Sequence, residues 1–427
     1  MRIIRPTLQD IVAVRSPFPG VQRLPHRPVI DYVRDRPGPR FDMPLVRSGF
    51  QGRYKVMVID ARTKRVVHER PWACNLILDQ GLNQYNTTQM ANVFLRCAVG
   101  TGTTPTFRDS TGTATLTVSG TDCTASDAFF EAADEGRLLK LDSGGEAYIA
   151  TYTSPTAVVL GTAPGDSGPE DGCVWYVNQT GLTSESKRTN TYLTGAGNCG
   201  TTFSGGILTL RRTFDFTAEA APVNYAELGW ANSATPGANL FSRTLIAGGT
   251  VSVGVDQLLR VIYDLAVTFS PNTLTGGATT ITGWPVAPAS TQDGDYIFTN
   301  VNTSNTFGRV GTSGATVTSG NEIEPAVTTT ILGYGSASTA PSYGSAYSPT
   351  SIASANSTKG SFTPGTWSIT RSVTFAQGTG NSTGIRNMYL NDGAAFVFVW
   401  DEAQTKANTH TLTLTQPQSW GRVLTNP

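Results

Sequence analysis

Apolar residues in this chain rarely recur at helical spacing. Instead, short runs of β-branched and aromatic residues alternate with polar ones and stop at Gly, Pro, Asn or Asp, repeatedly along the 427 residues. Tyr54-Lys55-Val56-Met57-Val58-Ile59-Asp60 is one such run. Arg65-Val66-Val67-His68-Glu69 answers it across a polar turn at 61–64. A period of two puts alternate side chains on one face of a strand, so the pair predicts a hairpin. Repeated through a chain of this length, the pattern argues against a helical bundle. It predicts an all-β protein with a β-sandwich or jelly-roll-like core.

Thirty-one basic residues balance thirty-one acidic ones, and only 15% of residues are charged. Whole-molecule charge therefore gives no pull toward nucleic acid. No run approaches the length of apolar residues that a membrane span needs. The opening MRIIRPTLQDIVAV lacks the apolar segment and the small-residue cleavage site of a signal peptide. The sequons at Asn86 and Asn178 are then read as a by-product of an Asn- and Thr-rich composition. Five cysteines, at 74, 97, 123, 173 and 199, form no C-x-x-C and are odd in number. They are expected to be buried small apolar side chains rather than a disulfide framework or zinc site, and Cys123 with Cys173 is the one pair to check.

Six segments follow from composition. Residues 1–50 hold nine Arg, no Lys, eight Pro and four Asp. Proline fixes φ and removes an amide donor, so the segment is expected to be extended. It reads either as a disordered tail or as an arm docking on a neighbouring subunit through Arg2, Arg5, Arg15, Phe18, Arg23, Arg27, Tyr32, Arg36 and Arg40. Its many apolar residues favour the arm, and arginine suits bidentate contacts across an interface. Residues 51–112 start the sandwich core. Within them Leu76-Ile77-Leu78, the polar Asp79-Gln80-Gly81-Leu82 and Val93 to Val99 read as strand, short polar segment and strand, ending in the turn Gly100-Thr101-Gly102-Thr103-Thr104-Pro105. Residues 113–180 form a chain of short strands and tight turns, enough for an inserted small β-barrel. Residues 181–273 continue the core.

Residues 274–362 are dominated by Gly, Ser, Thr and Ala, and are expected to be an ordered loop or second insert pinned by aromatic anchors. Residues 363–427 close a β domain. There Trp367 to Phe375 echoes Leu208 to Phe216, aligning Arg371 with Arg212; this reads as a degenerate repeat or as two similar hairpins.

Chemistry-bearing motifs are scarce. The three histidines, His26, His68 and His410, lie far apart, and no G-x-S-x-G, H-E-x-x-H or phosphate-loop pattern occurs. Asp293 with Asp295 and Glu322 with Glu324 have the i, i+2 spacing that puts two carboxylates on one face of a strand; Asp401 is followed by Glu402. Such pairs arise readily by chance, and no enzymatic activity and no cofactor are expected. Trp284, Tyr296, Tyr334, Tyr343 and Tyr347 could stack on sugar rings or could pin the glycine-rich segment to the core.

Several motifs carry a resemblance. The order Asn75-Leu76-Ile77-Leu78, Gly81-Leu82, then Val99-Gly100-Thr101-Gly102-Thr103-Thr104-Pro105, resembles the opening of a family of tailed-bacteriophage virion proteins. Glu227-Leu228-Gly229-Trp230 followed by Leu240-Phe241-Ser242-Arg243 is similar to its later strands. Phe130, Asp134, Gly136, Arg137, Gly145, Ile149 and Val158 match a module common in phage tail proteins, whose Asp-x-Gly turn orients the next strand. The resemblance implies a β-rich structural component of the virion, assembled in the bacterial host cytoplasm. It would be a tail, fibre or adaptor protein forming homo-oligomers such as trimers with other virion proteins as partners. Capsid or neck decoration, a host-surface glycan-binding module and a polysaccharide-degrading spike are the alternatives.

Overall fold

The computed structural model describes residues 40–42, 46–86, 92–165, 167–195, 197–204, 207–270, 273–282, 291–299, 331–335, 351–391, 395–406 and 411–424. It is an all-β protein, and its largest core lies between two sheets of a sandwich. The first sheet runs Cys199–Ser204, Ile207–Asp215, Gln257–Ser270 and Val46–Asp60, all antiparallel. The second runs Glu185–Thr189, Arg96–Gly100, Glu227–Ala231 and Leu240–Leu245. Ala73–Ile77 joins them: residues 73–75 pair with Val46–Asp60, whereas Leu76 and Ile77 pair with Leu240–Leu245.

Strand alternation fills the space between. Tyr54 and Tyr263 reach in from the first sheet and Trp230 from the second, all fully buried. The Trp230 ring stacks on Tyr263 at 4.2 Å between centroids and meets Tyr54 at 5.8 Å. Such ring pairs add to the burial of three large apolar bodies. The predicted hairpin forms, with Met57 opposite Glu69 and Val58 opposite His68.

The outer edge of the first sheet is closed by a distant strand. Leu412–Arg422 runs parallel to Val46–Asp60, pairing Gln418 to Arg422 with Val46 to Phe50. Its earlier part pairs in parallel with Arg40–Asp42, matching Arg40 to Thr413. Ser368–Phe375 flanks it antiparallel. The echoed strands thus lie in one sheet, and each buries its arginine, Arg212 and Arg371.

Between Arg96–Gly100 and Glu185–Thr189 the chain builds a separate eight-stranded unit with its own core around Leu116, Phe130, Leu139 and Ile149. Its strand order is Ser167–Glu170, Leu116–Ser119, Asp122–Ala125, Ala157–Leu160, Glu146–Ser154, Leu138–Leu141, Gly172–Trp175 and Phe107–Asp109. The expected barrel does not close. Among the described residues the two end strands do not pair with each other. One of them, Ser167–Glu170, contains Gly168-Pro169, and a proline that cannot donate to a ladder suits an open edge. Glu146–Ser154 instead serves two half-sheets, pairing with Leu138–Leu141 over residues 146–148 and with Ala157–Leu160 from Ile149 onward.

A second sequence expectation is corrected. The polar segment after Leu78 is an α-helix, Asp79–Tyr85. Leu78, Leu82 and Tyr85 stand at i, i+4 and i+7, and all three are buried. Gly81 hides the period, and it is needed there, because a Cβ would stand 2.2 Å from the Phe241 carbonyl oxygen.

Candidate functional site

The inserted unit leaves the sandwich through residues 101–105 and returns through 176–184, and a fully buried ion pair sits at this root. Glu227 and Arg243 are each 0% exposed. Their strands pair side by side, with Glu227 opposite Leu245 and Gly229 opposite Arg243, so both side chains reach the same loops. The Glu227 carboxylate accepts backbone N–H groups from Gly102 at 3.1 Å, Thr183 at 3.0 Å and Ser184 at 2.7 Å. Arg243 Nη2 donates to Glu227 Oε2 at 2.8 Å and to the Thr104 carbonyl at 2.8 Å; Nη1 donates to Gln179 Oε1 at 2.8 Å. One ion pair thereby holds both the outgoing and the returning strand. Burying two charges is tolerable only when their remaining donors and acceptors are met, as they are here.

The two glycines of the Gly100-Thr101-Gly102 turn follow from that carboxylate. A Cβ on Gly102 would lie 2.4 Å from Glu227 Oε1, and one on Gly100 would lie 2.3 Å from the Ser184 carbonyl oxygen. Glycine is required for close approach of the carboxylate and the returning backbone.

A second contact fixes the insert sideways. Tyr148, from the inserted unit, donates its hydroxyl to Asp79 Oδ1 at 2.7 Å, and Arg422 pairs with the same carboxylate. The Arg422 guanidinium also lies 5.2 Å from the Trp367 ring centroid. Burial pushes the Tyr148 hydroxyl well above its usual value, with smaller contributions from its two charged neighbours. Around these contacts Leu76, Leu138, Trp175, Val177, Leu182 and Leu240 form an apolar cluster shared by insert and sandwich. A groove of about 210 Å³ opens beside it, lined by Cys74, Asn75, Phe107, Trp175 and Leu424 among others.

Two further charge clusters also pair within the chain. In the insert, buried Asp134 accepts Arg137 Nη1 at 2.7 Å and the Glu131 N–H at 2.8 Å, and pairs with Arg108. Gly136, at φ +76°, makes the turn between Asp134 and Arg137. On the outer face of the first sheet, fully buried Asp264 is bracketed by Arg53 at 2.9 Å and Arg211 at 2.6 Å, one from each neighbouring strand. Trp72, 37% exposed, covers both guanidinium groups at 4.8 and 5.5 Å.

The sequence-predicted site residues fall as follows. Arg2, Arg5, Arg15, Phe18, Arg23, Arg27, Tyr32 and Arg36 lie outside the described residues, and Arg40 opens the Arg40–Asp42 strand. Trp284, Tyr343 and Tyr347, with Glu322 and Glu324, also lie outside them. Tyr296 is in Thr291–Thr299 and Tyr334 in Ile331–Gly335. The register sets Tyr296, Phe398, Met388 and Tyr334 in one cross-strand row. Asp293 and Asp295 lie on the Thr291–Thr299 strand, Asp401 and Glu402 on Ala395–Lys406. His68 is exposed on its hairpin strand.

All five cysteines are free. Cys123 and Cys173 are buried but unpaired, and burial pushes both thiols up to about 12. Cys74 departs from expectation in being exposed. Among the described residues, no group of three or more His, Cys, Asp and Glu is placed to hold a metal ion. No described helix is long and apolar enough to cross a membrane.

Sequence reading marked Gly100, Gly102, Glu227 and Arg243 separately, through the motifs that contain them, but not that they meet. The Asp79, Tyr148 and Arg422 contact carried no local signal, since its members come from three distant elements. Comparison with protein-family models, with curated proteins and with solved structures returns no match.

Proposed function

We propose that the chain is a structural component of a tailed-bacteriophage virion, of the tail, fibre or adaptor type, acting through contacts between subunits. The motif resemblance supplies the biological setting. The observation that carries the reading is where the buried charge goes. Glu227 with Arg243 and Asp79 with Arg422 are ion pairs of the sandwich that also hold the insert, the first through the loops at its root and the second through Tyr148, with each charge facing a partner inside the chain. Such pairs fix the relative placement of two folded units, which a protein that works by presenting surfaces needs. The Arg- and Pro-rich segment that precedes Arg40 acts as the docking arm of this reading. Removing residues 1–39 from a phage-encoded copy should leave a soluble, folded protein that no longer enters particles. Its normal incorporation, seen by electron microscopy of purified particles, would refute the docking role.

A second reading, binding of host-surface glycan, is favoured by the cross-strand row that holds Tyr296 and Tyr334 at matching register in one sheet, with two strands between them. Binding on a glycan array that Tyr296→Ala and Tyr334→Ala abolish together would support it. Silence across bacterial surface sugars would remove it.

A further inference from the structure

A formal net charge of zero conceals an uneven distribution. Residues 106–178, which contain the whole eight-stranded unit, hold eleven acidic and three basic side chains, a net charge of −8. Residues 1–50 carry a net charge of +5. Two of the three basic residues in the insert, Arg108 and Arg137, are turned onto buried Asp134; Arg108 also meets exposed Glu131 at 2.9 Å and Lys140 stands 3.9 Å from Glu146, so the surface keeps an excess of carboxylates. Asp122, Asp127, Glu131, Glu135, Asp142 and Glu146 are all exposed.

We infer that this acidic surface of the insert receives the Arg- and Pro-rich segment 1–39 of a second copy of the chain; the inference rests on the reading of that segment as a docking arm. Leu412–Arg422 serves as a ruler. Arg40 pairs with Thr413 near one end of it, and Arg422 meets Asp79 and Tyr148 of the insert at the other. The pairing is parallel, so the chain before Arg40 departs at the end away from its own insert, roughly 30 Å off at ~3.3 Å per strand residue. A chain of thirty-nine residues has a maximum reach on the order of 120 Å, enough to arrive at a neighbour. Arginine forks match carboxylate geometry, and prolines lower the entropy lost on docking. Each exposed ion pair is weak and screened by salt, so the contact depends on several acting together.

Sedimentation velocity on the full-length protein tests this at low and high salt. Asp122→Asn, Asp127→Asn, Glu135→Gln and Glu146→Gln are combined in one variant. Self-association should weaken at least tenfold, as it should on removing residues 1–39, with circular dichroism unchanged. Exchanging the charges, with arm arginines made Glu and these acids made Lys, should restore it. If the neutralised insert associates like the wild type while arm removal abolishes association, the arm docks elsewhere and only this inference falls. If arm removal changes nothing, the docking-arm reading falls as well. A photo-crosslinking residue at position 18, in mixtures of light and isotope-heavy chains, should join arm to insert between light and heavy copies. Crosslinks confined to single copies would overturn the inference by placing the arm on its own insert.

Discussion

Replacing Arg243 by Met tests the claim that one ion pair holds the root of the insert. Methionine keeps much of the volume and removes the charge. Glu227 would then be a buried carboxylate relying on the N–H groups of Gly102, Thr183 and Ser184 alone. The Thr104 carbonyl and Gln179 Oε1 would each lose the guanidinium N–H that donates to them. Removing one partner of a buried pair costs about 3–5 kcal/mol. The three remaining amides place this case near the lower figure, about 3 kcal/mol, which is roughly a hundredfold in a local opening equilibrium. A whole domain is stable by only about 5–15 kcal/mol.

Hydrogen exchange read by mass spectrometry should therefore show faster exchange in 101–105 and 179–184, while the Gln257–Ser270 strand, on the far sheet, stays protected. Pairing Arg243→Met with Glu227→Gln should cost less than the sum of the two, with a coupling of about 1–3 kcal/mol. A destabilisation under about 1 kcal/mol, or strictly additive costs, would show that the pair does not hold the loops together.

Four other outcomes follow. Gly102→Ala should destabilise the same two loops, because its Cβ would stand 2.4 Å from Glu227 Oε1; unchanged exchange there would mean the turn yields freely. Asp134→Asn should lower the melting temperature of the insert, since it strips a buried acceptor from Arg108 and Arg137; proteolysis that spares the insert would contradict it. Native thiol titration should give one fast-reacting cysteine, Cys74, and five after denaturation. Because Cys123 and Cys173 are held near 12 when folded and ionise near 9 when unfolded, their contribution is complete below pH 9. It is lost between about pH 9 and 12, at about 1.4 kcal/mol per thiol per pH unit. A midpoint in urea that does not fall over that range would oppose this.

Much of the first sheet was legible because its strands alternate, as Tyr54, Val56 and Val58 do within Val46–Asp60, and because turn residues bound them. The helix Asp79–Tyr85 was not, because seven residues with a glycine at the third carry too few apolar positions to outvote a polar reading. The open edge of the insert was hidden for another reason: closure depends on whether the first and last strands meet, and nothing local to Phe107–Asp109 or Ser167–Glu170 encodes that. Glu227 and Arg243 were visible as pattern but not as partners. Their meeting depends on the register of two strands sixteen residues apart and on loops from two other places in the chain. The charge asymmetry escaped a whole-chain count because the insert's negative charge is offset by the arm and by the rest of the chain.

The parallel ladder between Val46–Asp60 and Leu412–Arg422 sets a schedule for synthesis. The earlier strand emerges some 370 residues ahead of its partner, on the order of 20–70 s at usual ribosomal rates. Through that interval the edge of the first sheet presents unpaired amides and carbonyls beside Phe50, and a growing chain on the same messenger could pair with it. Yield in cells should therefore respond to translation speed and to chaperone supply more steeply than the stability of the finished protein would suggest.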